Sequence, residues 1–197
     1  FAEQADDATI IIGQIDMPRA RLEAAKNLKA IINVEGNFLP NIDYDCAMAR
    51  GVRVLNVSPV FAEPVAEVAL GMALSLARGI SRSDRLFRQG KELYGLAANE
   101  NAYGLYRQKV GFIGMGDLGR AILPLLAPFA PEISVFDPWL PADYLRTLGC
   151  RPATLDEVLT GSRITFVVAG ATSQNQGFLG AAEFAAMPPW ASLILVS

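Results

Sequence analysis

The chain has 197 residues, of which 52% are hydrophobic, and this is enough apolar material for one large domain or parts of two. Its formal net charge of −3 and its scattered Lys and Arg residues argue against a nucleic-acid-binding surface, which needs a concentrated basic face. With no histidine and two distant cysteines, Cys46 and Cys150, we expect no zinc or iron site, no disulfide framework and a reducing, cytoplasmic environment.

The first third of the chain predicts a parallel α/β unit. Short β-branched runs at 8–13, 28–34 and 52–57 alternate with helix-forming segments at 18–27 and 42–51. This alternation is typical of parallel strands joined by helical crossovers. No targeting segment is visible at the start, which is either processed or internal to a longer polypeptide.

A long apolar helix is predicted from Val65 to about Gln89, with a break or restart at Gly79. Its most apolar part, 65–77, is shorter than the roughly 20 residues that a bilayer requires and contains a Glu, so we predict a buried helix and no membrane span. Because the helix is apolar on nearly every side, we expect it between two domains or two subunits. The preceding SPVFAEP is interpreted as an interruption, and residues 90–108 as a connecting loop.

From Lys109 the alternation resumes and predicts a second doubly wound unit. The predicted strands are 109–113, 132–136, a brief one near Arg151, 164–168 and 192–196. The predicted helices are 118–129, 141–148, 155–159 and 181–186.

The segment GFIGMGDLG lies between the first of these strands and its helix, and its Gly114, Gly116 and Gly119 match the pattern G-x-G-x-x-G. In a dinucleotide site the first glycine allows the sharp turn, the second lets the backbone approach a pyrophosphate, and the third lets helix and strand pack closely. Asp137 ends the next strand, where an acid accepts hydrogen bonds from the ribose and repels a 2′-phosphate, so NAD is favoured over NADP. A purely structural turn and another nucleotide-type ligand, such as S-adenosylmethionine, are the alternatives.

Asp117 lies inside this glycine motif and puts a negative side chain beside the expected pyrophosphate. We therefore expect backbone amides, rather than this side chain, to make the contact. Asp117 also fits as an N-terminal helix acid stabilised by the helix dipole, and the two interpretations are compatible.

Five segments occur in an order that resembles the D-2-hydroxyacid dehydrogenases, the family of phosphoglycerate, glycerate and formate dehydrogenases. They are LKAIINV, NIDYDCAMARGVRVLNVSP, EPVAEVALGMALSLARGI, KVGFIGMGDLGRAI and FLGAAEFAAMPPWASLILVS. The resemblance implies a partial, flavodoxin-like substrate domain at 1–62 and a Rossmann NAD-binding domain at 63–197 that is incomplete at its C-terminal end. It also implies an active site between the domains and a long helix that helps form a homodimer.

The resemblance also assigns site residues. The pyrophosphate loop corresponds to Gly114, Gly116, Asp117, Leu118 and Gly119, the ribose position to Asp137, and a later cofactor-lining loop to Ala169, Gly170 and Asn175. The loop that binds the substrate carboxylate through backbone amides corresponds to Glu35, Gly36 and Asn37. This loop is one residue longer than is usual in the family, and its Glu35 either points to solvent, which we favour, or binds a substrate hydroxyl or amine.

The resemblance accounts for the missing histidine, because in the family the substrate-binding Arg and the Glu–His pair that handles the proton follow the strand that ends here at Ser197. We therefore expect the intact polypeptide to be an NAD-dependent enzyme that transfers a hydride between nicotinamide and a 2-hydroxy or 2-oxo acid, with its catalytic residues beyond the sequence given. The alternative is a non-catalytic, NAD-responsive binding protein of the same fold, similar to a corepressor. Tyr94, Tyr103 and Tyr106 are interpreted as packing residues rather than acids.

Overall fold

A computed structural model describes residues 7–34, 39–170, 172 and 175–196. The chain divides into two compact units, residues 1–61 and residues 62–197. Each unit contains one sheet, and all strands within each sheet run parallel.

The first unit contains a three-stranded sheet in the order β1-β2-β3. Its strands are β1 (Ile10–Ile12), β2 (Ala30–Asn33) and β3 (Arg53–Asn56), and its helices are α1 (Arg19–Ala24) and α2 (Tyr44–Ala49). The core is formed by fully buried apolar side chains, among them Met17, Leu22 and Ile31. The sequence predicted every one of these strands and helices, and all are confirmed.

A long helix, α3 (Ser58–Arg78), follows, and it begins earlier than the sequence indicated. The interpretation of SPVFAEP as an interruption was wrong. Pro59 lies in the first turn, where its missing amide costs no intrahelical hydrogen bond, and the helix continues through Pro64, which lies inside it. The predicted break is confirmed at Gly79, which has a left-handed conformation before α4 (Ile80–Arg88). The segment predicted as a loop contains one further short helix, α5 (Gly95–Asn99).

The side of α3 that is buried in this chain consists of alanines: Ala62, Ala66, Ala69, Ala73 and Ala77. Several of its larger side chains point outward, with Val68 53%, Met72 46% and Leu76 50% exposed. By length and composition alone α3 is apolar enough to cross a membrane, but core helices of soluble proteins pass the same test. Alanines therefore pack this helix most closely against the core, Leu70 and Leu74 are partly buried against it, and Val68, Met72 and Leu76 remain outside.

The second unit contains a five-stranded sheet in the order β6-β5-β4-β7-β8. Its strands are β4 (Lys109–Ile113), β5 (Glu132–Phe136), β6 (Arg151–Pro152), β7 (Ile164–Val167) and β8 (Ser192–Leu195). Its further helices are α6 (Asp117–Leu126), α7 (Ala142–Thr147), α8 (Leu155–Gly161) and α9 (Ala181–Ala186). Phe112 and Phe166 stack at the centre of the sheet with their ring centroids 5.2 Å apart.

The order of these strands reverses at β4, because the chain continues to β5 on one side and returns to β7 on the other. In an open parallel sheet such a reversal leaves a crevice at the carboxyl ends of the two strands, and ligands bind there. The predicted α/β class is confirmed, and this unit has the strand order of a Rossmann fold.

Candidate functional site

A cleft of about 700 Å³ lies at the carboxyl ends of β4, β5 and β7, within the second unit. Its walls are Ile113, Gly114, Gly116, Phe136, Asp137, Pro138, Trp139, Leu140, Leu155, Val168, Ala169, Gly170, Thr172, Asn175 and Phe178. The cleft therefore brings together six residues that the sequence predicted for cofactor binding: Gly114, Gly116, Asp137, Ala169, Gly170 and Asn175. Asp117, Leu118 and Gly119 do not line it.

The three glycines of the motif differ in what a side chain would meet. Gly114 has a φ of +91°, and an added Cβ would lie 2.9 Å from the backbone of Ala169. A Cβ on Gly119 would lie 3.1 Å from the sulfur of Met115, which is tight. A Cβ on Gly116 would meet nothing within 4 Å, so the backbone there is open to a ligand.

The amino end of α6 begins directly after Gly116. The first hydrogen bond of the helix runs from the amide of Arg120 to the carbonyl of Gly116, at 3.1 Å. The amides of Asp117, Leu118 and Gly119 precede it and therefore have no acceptor within the helix. Leu118 packs its side chain against the core. These residues thus contribute backbone, and the free amides with the helix dipole favour an anion.

Asp117 is paired with an arginine that the sequence reading did not consider. The Nη2 of Arg120 lies 2.6 Å from the Oδ1 of Asp117, and its Nη1 donates to the carbonyl of Met115 at 3.2 Å. The two side chains are about one-third exposed, at 37% for Arg120 and 34% for Asp117. A positive charge is therefore fixed near the glycine turn.

Asp137 is held by three backbone amides. Its Oδ2 accepts from the amide of Met115 at 2.8 Å, and its Oδ1 accepts from Trp139 at 2.9 Å and Leu140 at 3.1 Å. A carboxylate has about four acceptor positions, so these bonds leave little capacity beyond one further donor. The carboxylate connects the glycine turn after β4 to the loop after β5.

The loop after β7 forms the opposite side of the cleft. The side chain of Asn175 donates to the carbonyl of Gly170 at 2.8 Å and accepts from the amide of Thr172 at 2.7 Å. Both ends of this carboxamide are thus used inside the loop. Asn175 thus connects Gly170 to Thr172, while Ala169 lies directly against Gly114.

The outer part of the cleft is apolar and was missed by the sequence reading. Trp139 is 77% exposed there, and Leu140, Leu155 and Phe178 also line it. The signal was the pair Pro-Trp directly after Asp137, which adds a rigid turn and an aromatic side chain to the expected ribose position. An exposed aromatic side chain beside a polar group is typical of a ligand site.

A capping box fixes the start of α8, whose first residue, Leu155, lines the cleft. The hydroxyl of Thr154 accepts from the amide of Glu157, and the Glu157 carboxylate accepts from the amide of Thr154 at 2.7 Å. These hydrogen bonds, aided by the charge of Arg151, lower the pKa of Glu157 below its usual range.

The remaining described candidates, Tyr94, Tyr103 and Tyr106, do not line this cleft. Glu35, Gly36 and Asn37, predicted for substrate binding, lie outside the described residues. The ring of Tyr106 packs against Phe129 at 5.2 Å, and the hydroxyl of Tyr103 bonds to the Ser192 hydroxyl at 3.2 Å. In the part of the chain that the structure describes, no group of three or more Cys, Asp or Glu residues is arranged to hold a metal ion.

The two cysteines are buried, free thiols. Burial raises the pKa of the Cys150 thiol, which disfavours the reactive thiolate. Neither cysteine lines the cleft.

The parallel sheet, the glycine turn at its reversal point and the acid at the end of β5 define a dinucleotide-binding domain. Residues 70–197 match the family model described as the NAD-binding domain of the D-isomer specific 2-hydroxyacid dehydrogenases. The chain belongs to this family, and the predicted cofactor, NAD, is confirmed for the domain.

Individual relatives agree with this assignment. The chain is 33% identical over 148 residues to a hydroxypyruvate reductase of Thermotoga maritima, and the match covers 70% of this chain and 47% of that protein. It is 26% identical over 185 residues to a D-3-phosphoglycerate dehydrogenase of Archaeoglobus fulgidus, covering 92% of this chain and 34% of that protein. The chain therefore spans about a third to a half of the length of these curated relatives.

Among solved structures, a phosphoglycerate oxidoreductase from Rhizobium etli superimposes with a TM-score of 0.79 at 42% identity. The match covers 100% of this chain and 64% of that one. All three of these relatives are named as oxidoreductases, and none of them supports the alternative of a non-catalytic binding protein.

Proposed function

We propose that the polypeptide containing these residues is an NAD-dependent oxidoreductase that acts between a 2-hydroxy acid and the corresponding 2-oxo acid. The observation that carries the proposal is the cleft at the reversal point of the sheet, in a chain that belongs to a dehydrogenase family. The relatives named hydroxypyruvate reductase and D-3-phosphoglycerate dehydrogenase act on acids of this class.

The residues of the cleft fit the parts of NAD. The free amides of Asp117, Leu118 and Gly119, with the open backbone at Gly116, would hold the pyrophosphate. Asp137 would accept a hydrogen bond from the adenosine ribose, and the apolar wall at Trp139 would cover the adenine. When bound, NAD accepts the hydride at its nicotinamide ring, and the protein positions the cofactor and provides the electrostatic environment.

Discrimination between NAD and NADP would depend on Asp137. Three amides hold its carboxylate in place, so it cannot turn away from a ribose without losing hydrogen bonds. A 2′-phosphate would meet this fixed negative charge, and no Lys or Arg is among the described residues that line the cleft. These observations support NAD.

Substrate binding would use the backbone of Glu35, Gly36 and Asn37, as in the family that the sequence resembles. Ala169, Gly170 and Asn175 would border the nicotinamide side of the cleft, since they follow the strand on the far side of the reversal point from Asp137. None of the 197 residues is a histidine, and we assign the proton-transferring residue to none of them.

A homodimer is part of the proposal. The outward side of α3 carries Val68, Met72 and Leu76 at intervals of four residues, so their side chains lie along one stripe. An exposed apolar stripe of this kind marks a contact surface, and a second copy of the chain would cover it.

We further propose that the protein is cytoplasmic and binds neither nucleic acid nor membrane. The scattered basic residues and the free, buried cysteines support this proposal.

The test of the function has two stages. Calorimetric titration of the full polypeptide with NADH and NADPH should show binding with a preference for NADH. Oxidation of NADH, followed by its absorbance, is then measured with a panel of 2-oxo acids that includes hydroxypyruvate and pyruvate. Turnover of at least one acid supports the proposal, and tight NADH binding with no turnover of any acid argues for the binding protein instead.

A further inference from the structure

The glycine turn contains a charge conflict. Asp117 is the first residue of α6, at the same helix end where the proposed pyrophosphate would bind. An acid at this position interacts favourably with the helix dipole, but it repels an anion held by the neighbouring amides. Since the described cleft-lining residues include no Lys or Arg, no side chain of the cleft wall offsets this repulsion.

Arg120 lies where it can resolve the conflict. One nitrogen of its guanidinium is 2.6 Å from the Asp117 carboxylate, and another bonds to the Met115 carbonyl at 3.2 Å. These two bonds hold the side chain back over the first turn of α6 instead of letting it extend into solvent. Its positive charge is therefore fixed between the Met115 carbonyl and the Asp117 carboxylate, at the helix end whose amides would hold the anion.

We propose that Arg120 is a positioning residue whose charge makes this acidic glycine turn able to bind a pyrophosphate. It cancels the charge of Asp117 and directs that carboxylate away from the cleft, without itself touching the cofactor. The inference rests on the proposed NAD site, because it concerns the affinity of that site for a dianionic group. It predicts a defect that depends on ligand charge and on the presence of Asp117.

The chain offers a matched control. Asp143 and Arg146 form an ion pair of the same spacing that begins in the first turn of the short helix α7, with an N–O distance of 2.5 Å. Neither residue lines the cleft. If the loss of any such Asp–Arg pair weakened NADH binding by destabilising the protein, Arg146→Gln would weaken it as much as Arg120→Gln does.

The experiment measures dissociation constants of the full polypeptide for NADH and for adenosine, the latter by displacement of NADH. The variants are Arg120→Gln, Asp117→Asn, the double variant and Arg146→Gln. We expect Arg120→Gln to weaken NADH binding about tenfold and Asp117→Asn to strengthen it a few-fold, as for charges beside a bound anion. The double variant should return to within about threefold of the wild type, because both opposing charges are gone.

Adenosine carries no phosphate, so its affinity should be the same in all variants, and the NADH defect of Arg120→Gln should shrink as salt is raised. Equal losses for NADH and adenosine, or no recovery in the double variant, would overturn the inference, as would an equal loss in Arg146→Gln. If Arg120→Gln does not fold, the double variant is compared with Asp117→Asn instead: a loss of no more than a few-fold in NADH affinity supports the inference, and a loss of tenfold or more overturns it. A wild-type polypeptide that does not bind NADH overturns the proposed function as well.

Discussion

The two ends of the five-stranded sheet use charge in opposite ways. The carboxyl end carries the cleft of about 700 Å³, whose described walls contain one carboxylate, Asp137, and no basic side chain. The amino end carries two cavities of about 420 and 620 Å³, whose walls include the basic residues Arg107, Lys109, Arg151 and Arg163. A search for positive side chains would therefore choose the wrong end for an anionic cofactor.

The two ends offer different kinds of positive group: backbone amides that a helix holds in place at the carboxyl end, and long basic side chains at the amino end. At the carboxyl end, the amides after Gly116 are held by the helix that they begin. At the amino end, Arg163 lies over the ring of Tyr103, 3.9 Å from its centroid, and Arg151 pairs with Glu157 at 3.7 Å. Groups that are already oriented bind an anion without the entropy cost of ordering long side chains.

The largest effect should come from glycines with a positive φ at the two ends. Gly114→Ala adds a Cβ that would lie 2.9 Å from the Ala169 backbone, whereas Gly149→Ala, at a φ of +77°, meets nothing within 4 Å. We expect Gly149→Ala to cost about 1–2 kcal/mol of unfolding free energy from backbone strain alone. Gly114→Ala should cost about 1–3 kcal/mol more, from overpacking, and should abolish NADH binding.

Urea unfolding and NADH titration of both variants check this comparison. Equal stability losses would show that the contact with Ala169 relaxes without cost. NADH binding that survives in Gly114→Ala would show that the turn is not part of the site.

A smaller effect should follow from replacing an acid at each end of β5. Asp137→Ala should weaken NADH binding about tenfold to a hundredfold, because the carboxylate accepts from the ribose, and it should leave NADPH affinity equal or better. Glu132→Ala, at the amino end of the same strand, should change neither affinity. Titration of both variants with both cofactors tests this, and unchanged NADH affinity in Asp137→Ala would remove the ribose role.

The two tryptophans also lie at opposite ends, Trp139 in the cleft and Trp190 in the 620 Å³ cavity. Trp139→Leu should weaken NADH binding about fivefold to tenfold through lost stacking on the adenine. The fluorescence quenching caused by NADH should decrease strongly in Trp139→Leu and persist in Trp190→Phe. The reverse pattern would place the adenine elsewhere.

The stripe on α3 gives a separate test of the dimer. Met72→Glu together with Leu76→Glu should convert the full polypeptide from a dimer to a monomer, because two charges would be buried at the contact. Phe184→Glu, which changes a 53% exposed side chain on α9, is the control and should stay dimeric. Light scattering measures the masses, and a wild-type monomer would contradict the dimer.

The smallest effect concerns the capping box beside the cleft. The pKa of Glu157 is lowered in the folded protein, so its stabilisation is present above the unfolded value of about 4.5 and is lost as the pH falls through the folded value. Glu157→Gln should therefore unfold with a weaker dependence on pH below about 4.5 than the wild type. Parallel pH dependences in urea unfolding would show that the carboxylate is not coupled to folding.

Much of this fold was predictable because strands, glycine turns and an acid after a strand leave local patterns. The positions of Gly114 and Asp137 followed from such patterns, and so did the parallel alternation. The start of α3 was not predictable in the same way. A proline such as Pro59 begins a helix when it lies in the first turn and disrupts one when it lies further inside, and the sequence alone does not say where the first turn is.

The details of the site depended on contacts between segments. The three amides that hold Asp137 come from two loops, and their convergence depends on how β4 and β5 pair. The pair of Asp117 and Arg120 has a spacing that occurs on many helices, so sequence alone gave no reason to select it. The size of Trp139 was visible, but its place in the cleft required the turn after Asp137.

On α3, the small buried residues and the large exposed residues are under different constraints. Folding of the second unit restricts Ala66, Ala69, Ala73 and Ala77, where any larger side chain must find volume that a packed core does not have. Association with a partner would restrict Val68, Met72 and Leu76, which the folded chain leaves outside. Related chains that lose the partner would therefore change their large residues on this helix and keep the alanines.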